Sequence, residues 1–224
     1  MSPRQVPEIR ILFMDEDLVV CDKPPGMNVH RGEWSQAGDL HVLQTLRNQT
    51  ERKLFPVHRL DRNSSGVLAF ALSTEMAAAL QARLQAPEAR KRYLVLGRGH
   101  AAAEFESTRP LRNHRGEPQA CRTVFRCLEH LPQCSLLEAS LYSGRKHQIR
   151  RHLNHLAHHV LGDSTYGKGR INQQFRQDFG LPRMFLHACE LDLAHPRTGE
   201  WLQLKAPLAQ DLALCLERLR AQRS

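Results

Sequence analysis

No run of 18 apolar residues occurs anywhere in this sequence, so no transmembrane helix is expected. The first residues, Met1 to Gln5, carry no apolar signal core, which argues against secretion and for the cytoplasm. The six cysteines, Cys21, Cys121, Cys127, Cys134, Cys189 and Cys215, form no C-x-x-C pair. Most sit in apolar runs, so they read as buried thiols in a reducing compartment rather than as disulfides or zinc ligands. Gly-rich phosphate loops and the H-E-x-x-H zinc pattern are also missing, which leaves nucleotide-driven and zinc-hydrolase chemistry without a motif. Internal repeats, low-complexity tracts and long linkers are absent as well.

What is present is an ordinary globular balance, 41% hydrophobic and 25% charged over 224 residues. That length supports a real core. We expect a loose N-terminal tail over residues 1–8 and a single domain over 9–224. The formal net charge is +9, which points to a polyanionic partner, nucleic acid or an anionic membrane surface. Of the 32 basic residues, 26 are Arg. The planar fork of Arg suits phosphate oxygens and stacking on bases, so the bias favours nucleic acid, although a GC-rich genome produces the same bias. No basic amphipathic helix with a large apolar face stands out, and the membrane reading is the weakest.

Apolar runs and breakers predict strands over 17–23, 66–72, 92–98, 121–128 and 134–142, and a hairpin of 184–194 with 200–204 closed by the turn 195–199. Helices are predicted from Asp39 to about Asn48, with Leu40, Leu43 and Leu46 on one face, and from a Ser73 or Thr74 cap to just before Pro87. Two more are expected over 145–157, introduced by Ser143 and Gly144, and over about 207–221, with Pro207 in the first turn. In the last, Leu208, Leu212, Leu216 and Leu219 form an apolar stripe. Residues 99–120 read as loop with short pieces of strand, and 163–183 as a polar excursion. Helices interspersed with several hairpins indicate an α+β fold, a mixed and mostly antiparallel sheet flanked by helices and loops.

The segment with most chemical content is His58-Arg59-Leu60-Asp61-Arg62-Asn63-Ser64-Ser65-Gly66, just ahead of a strongly apolar strand. A carboxylate between two arginines sits in a polar turn at a strand's edge. Neighbouring cations favour the ionised form of a carboxylate, the form a nucleophile needs. The same residues also fit a plain surface turn with a solvated Arg–Asp pair.

This segment closely resembles the H-R-L-D-x-x-T-S-G signature of the RluA family of pseudouridine synthases, with Ser64 where the family usually has Thr. Four further segments follow the family in order. Asp22-Lys23-Pro24-Pro25-Gly26-Met27 resembles its first motif, and Lys91-Arg92-Tyr93 its tyrosine motif. Ser143-Gly144-Arg145-Lys146-His147-Gln148-Ile149-Arg150 is similar to T-G-R-x-H-Q-[IL]-R, again with Ser for Thr. His159-Val160-Leu161-Gly162-Asp163 resembles the H-P-I-x-G-D that comes next, with Val160 in place of Pro. The resemblance covers about residues 9–204. Within the family, Arg150 to Leu156 and Phe179 to Ala188 look most like a branch that modifies uridine 65 in the T stem of tRNA. Residues Arg31 to Asp39 depart from that branch.

The resemblance implies isomerisation of uridine to pseudouridine in structured RNA, most similar to tRNA enzymes. A ribosomal RNA enzyme of the same class and a non-catalytic RNA-binding protein are the alternatives. It implies Asp61 as catalytic carboxylate, Arg150 pairing with it, and Tyr93 packing against the flipped uracil. Arg59 would enter the RNA where the base has left, and His58, Arg62, Arg145, His147 and Arg151 would line the RNA face. The reaction breaks the N1–C1′ bond and joins C5 to C1′. It is redox-neutral, so no cofactor and no metal are expected, nor an obligate protein partner, and the chain is expected to act as a monomer. His147, His152, His155, His158 and His159 lie on or beside one helix, and His155 and His159 have a spacing that can bind metal. Without an intervening Glu, RNA contacts or solvated rings explain them better.

Overall fold

The computed structural model describes residues 8–31 and 39–222. The expected tail therefore falls outside the described residues except for Glu8, and so does most of the Arg31 to Asp39 stretch. In chain order the elements are β1 (Ile11–Met14), β2 (Leu18–Lys23), α1 (Val42–Thr50), β3 (Phe55–Pro56), β4 (Ser65–Ala71) and α2 (Thr74–Gln85). There follow β5 (Arg90–Arg98), β6 (Glu104–Ser107), β7 (Leu111–Arg112), β8 (Pro118–Gln119), β9 (Thr123–Leu131) and β10 (Cys134–Leu141). The remainder is α3 (Gln148–His155), α4 (Gly169–Phe179), β11 (Leu186–Ala194), β12 (Trp201–Lys205) and α5 (Gln210–Ala221). The fold is α+β. No described helix is long and apolar enough to cross a membrane.

The chain forms two compact units. Unit 1 takes the residues up to Ala89 together with Glu190–Pro207; unit 2 takes Arg90–Cys189 and the residues from Leu208 onward.

In unit 1, β4 pairs antiparallel with β2 from Leu18↔Ala71 to Lys23↔Gly66, and β3 pairs with the far end of β4. Every residue of β4 is buried, which is why its sequence reads as a continuous apolar run and not as an alternation. Helix α2 starts where Ser73 accepts a hydrogen bond from the Met76 N–H at 3.1 Å. Its Met76, Leu80 and Leu84 recur at helical spacing and join Leu18, Val20, Val67 and Ala69 in one apolar cluster, with Leu191, Leu193 and Leu204 of the β11–β12 hairpin. Arg197 in the turn of that hairpin makes a two-pronged pair with Asp17, which holds the Asp17 carboxyl below the ordinary carboxylate range. Helix α1 departs from expectation. His41, not Asp39, precedes it, and its buried residues are Val42, Thr45 and Leu46.

Unit 2 is built on antiparallel neighbours, β5 with β10, β10 with β9, and β9 with β6. One cluster packs α3 on this sheet through Ile149, Leu153, Val95, Phe125 and Ala139. A second joins α4 and α5 to it through Phe175, Phe179, Leu96, Leu212, Cys215, Leu216 and Leu219.

Three expectations are corrected here. Residues 163–183 are not simply a polar excursion, because α4 lies inside them. Its Ile171, Phe175 and Phe179 are four apart and face the core, and Gly180 ends it in the left-handed region at φ 66. Helix α3 begins at Gln148, three residues later than predicted, because His147 sits at φ 54 and breaks the helical path. Helix α5 begins at Gln210, so Pro207 precedes the helix.

Candidate active site

Asp61 lies in the loop that leads from β3 into β4, and its carbonyl accepts from the Ser64 N–H at 3.0 Å, closing a tight turn. Gly66 at the turn's exit has φ 110, a region that only glycine enters without strain. The turn is anchored from beneath by Lys23, which is fully buried at the end of β2. Its Nζ donates to the carbonyls of Pro24 (2.8 Å), Arg62 (3.2 Å) and Ser64 (2.8 Å). A buried ammonium is costly unless its protons are matched, and here three carbonyls match three protons. Gly26 and Arg62 lock the two loops further. The Gly26 N–H donates to the Arg62 carbonyl at 2.8 Å, and Arg62 Nε donates to the Gly26 carbonyl at 2.9 Å. Ser64, which stands where the resembling family has Thr, is buried, and among the described residues its hydroxyl has no hydrogen-bond partner.

Of the residues expected at an RNA face, His58 is turned to the sheet. Its Nε2 accepts the Ala69 N–H at 3.0 Å, where the β3–β4 ladder has ended at Pro56. Arg59 and Arg62 are exposed beside Asp61, which is half-buried.

In unit 2, Tyr93 stands on β5 opposite Ala139 of β10, half-buried against the cluster that holds Ile149 and Leu153 of α3. The same helix carries Arg150, whose side chain is 8% exposed. Its Nε and Nη2 donate to Asp163 Oδ2 at 2.7 Å and Oδ1 at 2.8 Å. Burial alone would raise the Asp163 carboxyl. The hydrogen bonds from Arg150 and from the Thr165 and Tyr166 N–H groups, with the guanidinium charge, bring it below the ordinary range. Tyr166 lays its ring over the Arg150 guanidinium, 5.1 Å from carbon to centroid, and its hydroxyl lies 3.2 Å from His147 Nδ1.

The buried polar side of α3 fixes the loops around it. Gln148 Oε1 accepts from the Ser143 hydroxyl and the Arg145 N–H, and its Nε2 donates to the Arg122 carbonyl and Thr123 Oγ1. His152 is buried, with Nδ1 2.9 Å from Thr123 Oγ1 and Nε2 3.1 Å from the Arg109 carbonyl. Burial holds its pKa below the usual histidine value, so the ring is a neutral strut. His158 Nδ1 faces the Arg98 carbonyl at 2.9 Å. The histidines that share one stretch of sequence thus point to different tasks, and among the described residues no three His, Cys, Asp or Glu side chains are arranged to hold a metal. Arg145 is exposed with Nε toward the Ala120 carbonyl, and Arg151 reaches the Arg112 carbonyl on the β7–β8 hairpin.

Sequence reasoning placed no role on Lys23, Asp163 or Tyr166, although the first two stand inside quoted motifs. A buried Lys at a strand's end and an Asp after Gly were the available signals.

Comparison with known proteins bears on the whole arrangement. The family model for RNA pseudouridylate synthase matches residues 17–155, a span that holds Asp61, Tyr93 and Arg150. A tRNA pseudouridine synthase C of Haemophilus ducreyi is 35% identical, covering 91% of this chain and 92% of that protein. The tRNA pseudouridine synthase C of Vibrio cholerae is 37% identical over 89% of this chain and 91% of its own. Among solved structures, Human RNA Pseudouridylate Synthase Domain Containing 1 superposes with a TM-score of 0.74 at 26% identity, covering 99% of this chain and 98% of that one. Matched span, coverage and fold agree: this chain belongs to the RNA pseudouridylate synthase family.

Proposed function

We propose that this chain isomerises uridine to pseudouridine in tRNA, at a T-stem uridine, position 65. The observation that carries the reading is likeness to enzymes named tRNA pseudouridine synthase C along about nine-tenths of both chains. Residues 9–224 act as one catalytic domain, without cofactor or obligate protein partner, as a monomer in the cytoplasm.

In this mechanism Asp61 acts on the ribose of an extruded uridine. Either it attacks C1′, and N1 departs with the bonding electrons, or it takes the C2′ proton as N1 departs. The freed uracil turns and C5 bonds to C1′, either as the Asp61–C1′ ester bond breaks and its electrons return to the carboxylate, or as Asp61 gives its proton back to C2′ of the glycal; the C5 proton is then lost and N1 ends protonated. Tyr93 packs on the uracil and shuttles a proton, and Arg150 orients the Asp61 carboxylate. Arg59 fills the gap left by the base, while Arg62, Arg145, His147 and Arg151 meet the surrounding RNA. The imidazole of His58 takes part by holding the Asp61 loop to β4 as well as by any contact with RNA. A stem target costs a few kcal/mol of unpairing and unstacking, which phosphate contacts to a chain of net charge +9 offset.

The test is tritium release from 5-tritiated uridine in three substrates: a tRNA transcript, the same tRNA with its T stem opened by mismatches, and a ribosomal RNA fragment. We expect release from the tRNA, mapped to the T stem, and binding that weakens steeply with salt. Modification of the ribosomal fragment with none of the tRNA refutes the substrate and leaves the reaction standing.

A further inference from the structure

We infer that Asp163 and Tyr166 are positioning residues for the reaction: together they fix the Arg150 guanidinium in one plane and one rotation. The inference rests on the isomerase reading and extends it to residues outside the span that the family model matches.

Three observations carry it. First, the grip is two-dimensional. Asp163 holds the Nε–Nη2 edge of Arg150 with two bonds of 2.7 and 2.8 Å, which fixes rotation within the guanidinium plane. Tyr166 covers the face, which fixes the tilt of that plane.

Second, Asp163 is itself held from several directions. Its Oδ1 accepts the N–H groups of Thr165 (2.8 Å) and Tyr166 (3.1 Å). Asn172 of α4 donates to the Asp163 carbonyl at 2.8 Å and accepts from the Gly162 N–H at 2.9 Å. Gly162 sits at φ 78, and a Cβ there would lie 2.2 Å from the Arg183 carbonyl oxygen, so the backbone beside the carboxylate has one available path.

Third, stability alone is a poor reason for the pair. Buried ion pairs are often replaceable by apolar residues without loss, whereas an arginine that must present one edge in one direction gains from being clamped. The Tyr166 hydroxyl is tied in turn to His147, which holds a left-handed backbone, φ 54, immediately ahead of α3. A non-glycine residue in that region is kept there by its surroundings.

The experiment uses the full chain with 5-tritiated tRNA under single-turnover conditions at saturating enzyme, with filter binding for tRNA affinity and thermal melting for fold. The proteins are wild type, Arg150→Lys, Asp163→Asn, Tyr166→Leu, Tyr166→Phe, and each of the Asn and Leu variants combined with Arg150→Lys. We expect Asp163→Asn to slow the chemical step by about 100-fold and Tyr166→Leu by about 10-fold, with tRNA affinity changed less than about threefold. Tyr166→Phe, which keeps the ring but loses the bond to His147, falls between wild type and Tyr166→Leu. Added to Arg150→Lys, neither change slows the reaction further, because all act through one guanidinium. Losses that multiply, or an Asp163→Asn rate within about threefold of wild type, overturn the inference. If Asp163→Asn does not fold, the Tyr166→Leu and Arg150→Lys cycle decides by the same rule. A wild-type protein that releases no tritium from tRNA or ribosomal RNA is a separate outcome: it removes the isomerase reading, and the inference with it, before any variant is compared.

Discussion

Replacing Lys23 by Met tests how the Asp61 turn is held. Met keeps most of the buried stem and removes the ammonium, and with it three hydrogen bonds of 2.8, 3.2 and 2.8 Å. The three carbonyls do not suffer equally. That of Arg62 still receives the Gly26 N–H, and Pro24 is only half-buried and open to water. The Ser64 carbonyl belongs to a fully buried residue and takes most of the loss. A stranded buried acceptor costs about 1–3 kcal/mol, and lost charge-assisted bonds add to it, so the total is about 3 kcal/mol. For a chain of this size that lowers the melting midpoint by about 6–12 °C. The consequence for chemistry is separate. Asp61 immediately precedes the clamped Arg62, and its own carbonyl closes the turn on Ser64, so slack in the turn spreads the positions of its carboxylate. At a temperature well below the variant's melting point, the single-turnover rate of tritium release should fall at least about 10-fold. The assay is a melting curve paired with that rate. A midpoint within 2 °C or so of wild type together with an unchanged rate refutes the reasoning.

Further outcomes are expected. Asp61→Ala abolishes tritium release while filter binding of tRNA stays within about threefold, because phosphate contacts carry affinity; turnover near the wild-type rate removes Asp61 as the catalytic group. On the proposed mechanism, in which a carboxylate carries a redox-neutral transfer, activity survives EDTA; loss on chelation with recovery on zinc addition contradicts it. Stability should rise with pH between about 5 and 7 through His152. Its folded pKa lies below the usual value because of burial. The unfolded chain therefore takes up a proton near pH 6.5 that the folded chain refuses, and acid favours unfolding. His152→Asn should flatten the dependence of urea midpoint on pH in that window, and an unchanged slope counts against a neutral buried ring. Asp163 adds a second loss at lower pH: its depressed carboxyl stabilises the fold above about pH 4 and ceases to do so as pH falls through the folded value.

The parts of the fold legible in the sequence were those whose signal is local. Ser73 before an Ala-rich stretch marks α2, and the short apolar run 66–72 that stops at Ser73 reads as a buried strand. The missed helix α4 carried its own signal in Ile171, Phe175 and Phe179, but its remaining residues are almost all polar and hid the period. The starts of α3 and α5 were set by contacts at a distance. Gln148 reaches back to Ser143 and Arg145, and His147 adopts a conformation that its sequence does not announce. The same division holds at the site. Asp61 stands out as a candidate because its segment resembles a family signature; the arginines near it fit a solvated surface turn as well. The anchor of Asp61 does not stand out, because Lys23 binds three backbone carbonyls, and carbonyls have no letter in a sequence. Asp163 lies 13 residues from Arg150, across a helix end and a turn, and nothing local shows that the two meet.

The way the chain threads its two units also bears on how it is made. Unit 1 takes its closing strands from Glu190–Pro207, and unit 2 takes its last helix from Leu208 onward. Asp17 finds Arg197 only 180 residues later, and the apolar face of β4 waits for Leu191, Leu193 and Leu204. On the ribosome, therefore, the apolar face of β4 is made well before the strands that cover it, whereas the cluster of Val95, Phe125, Ala139, Ile149 and Leu153 needs no residue from the β11–β12 hairpin turn onward. Contacts so distant in sequence close late, and until they do the uncovered face of β4 is a site for aggregation.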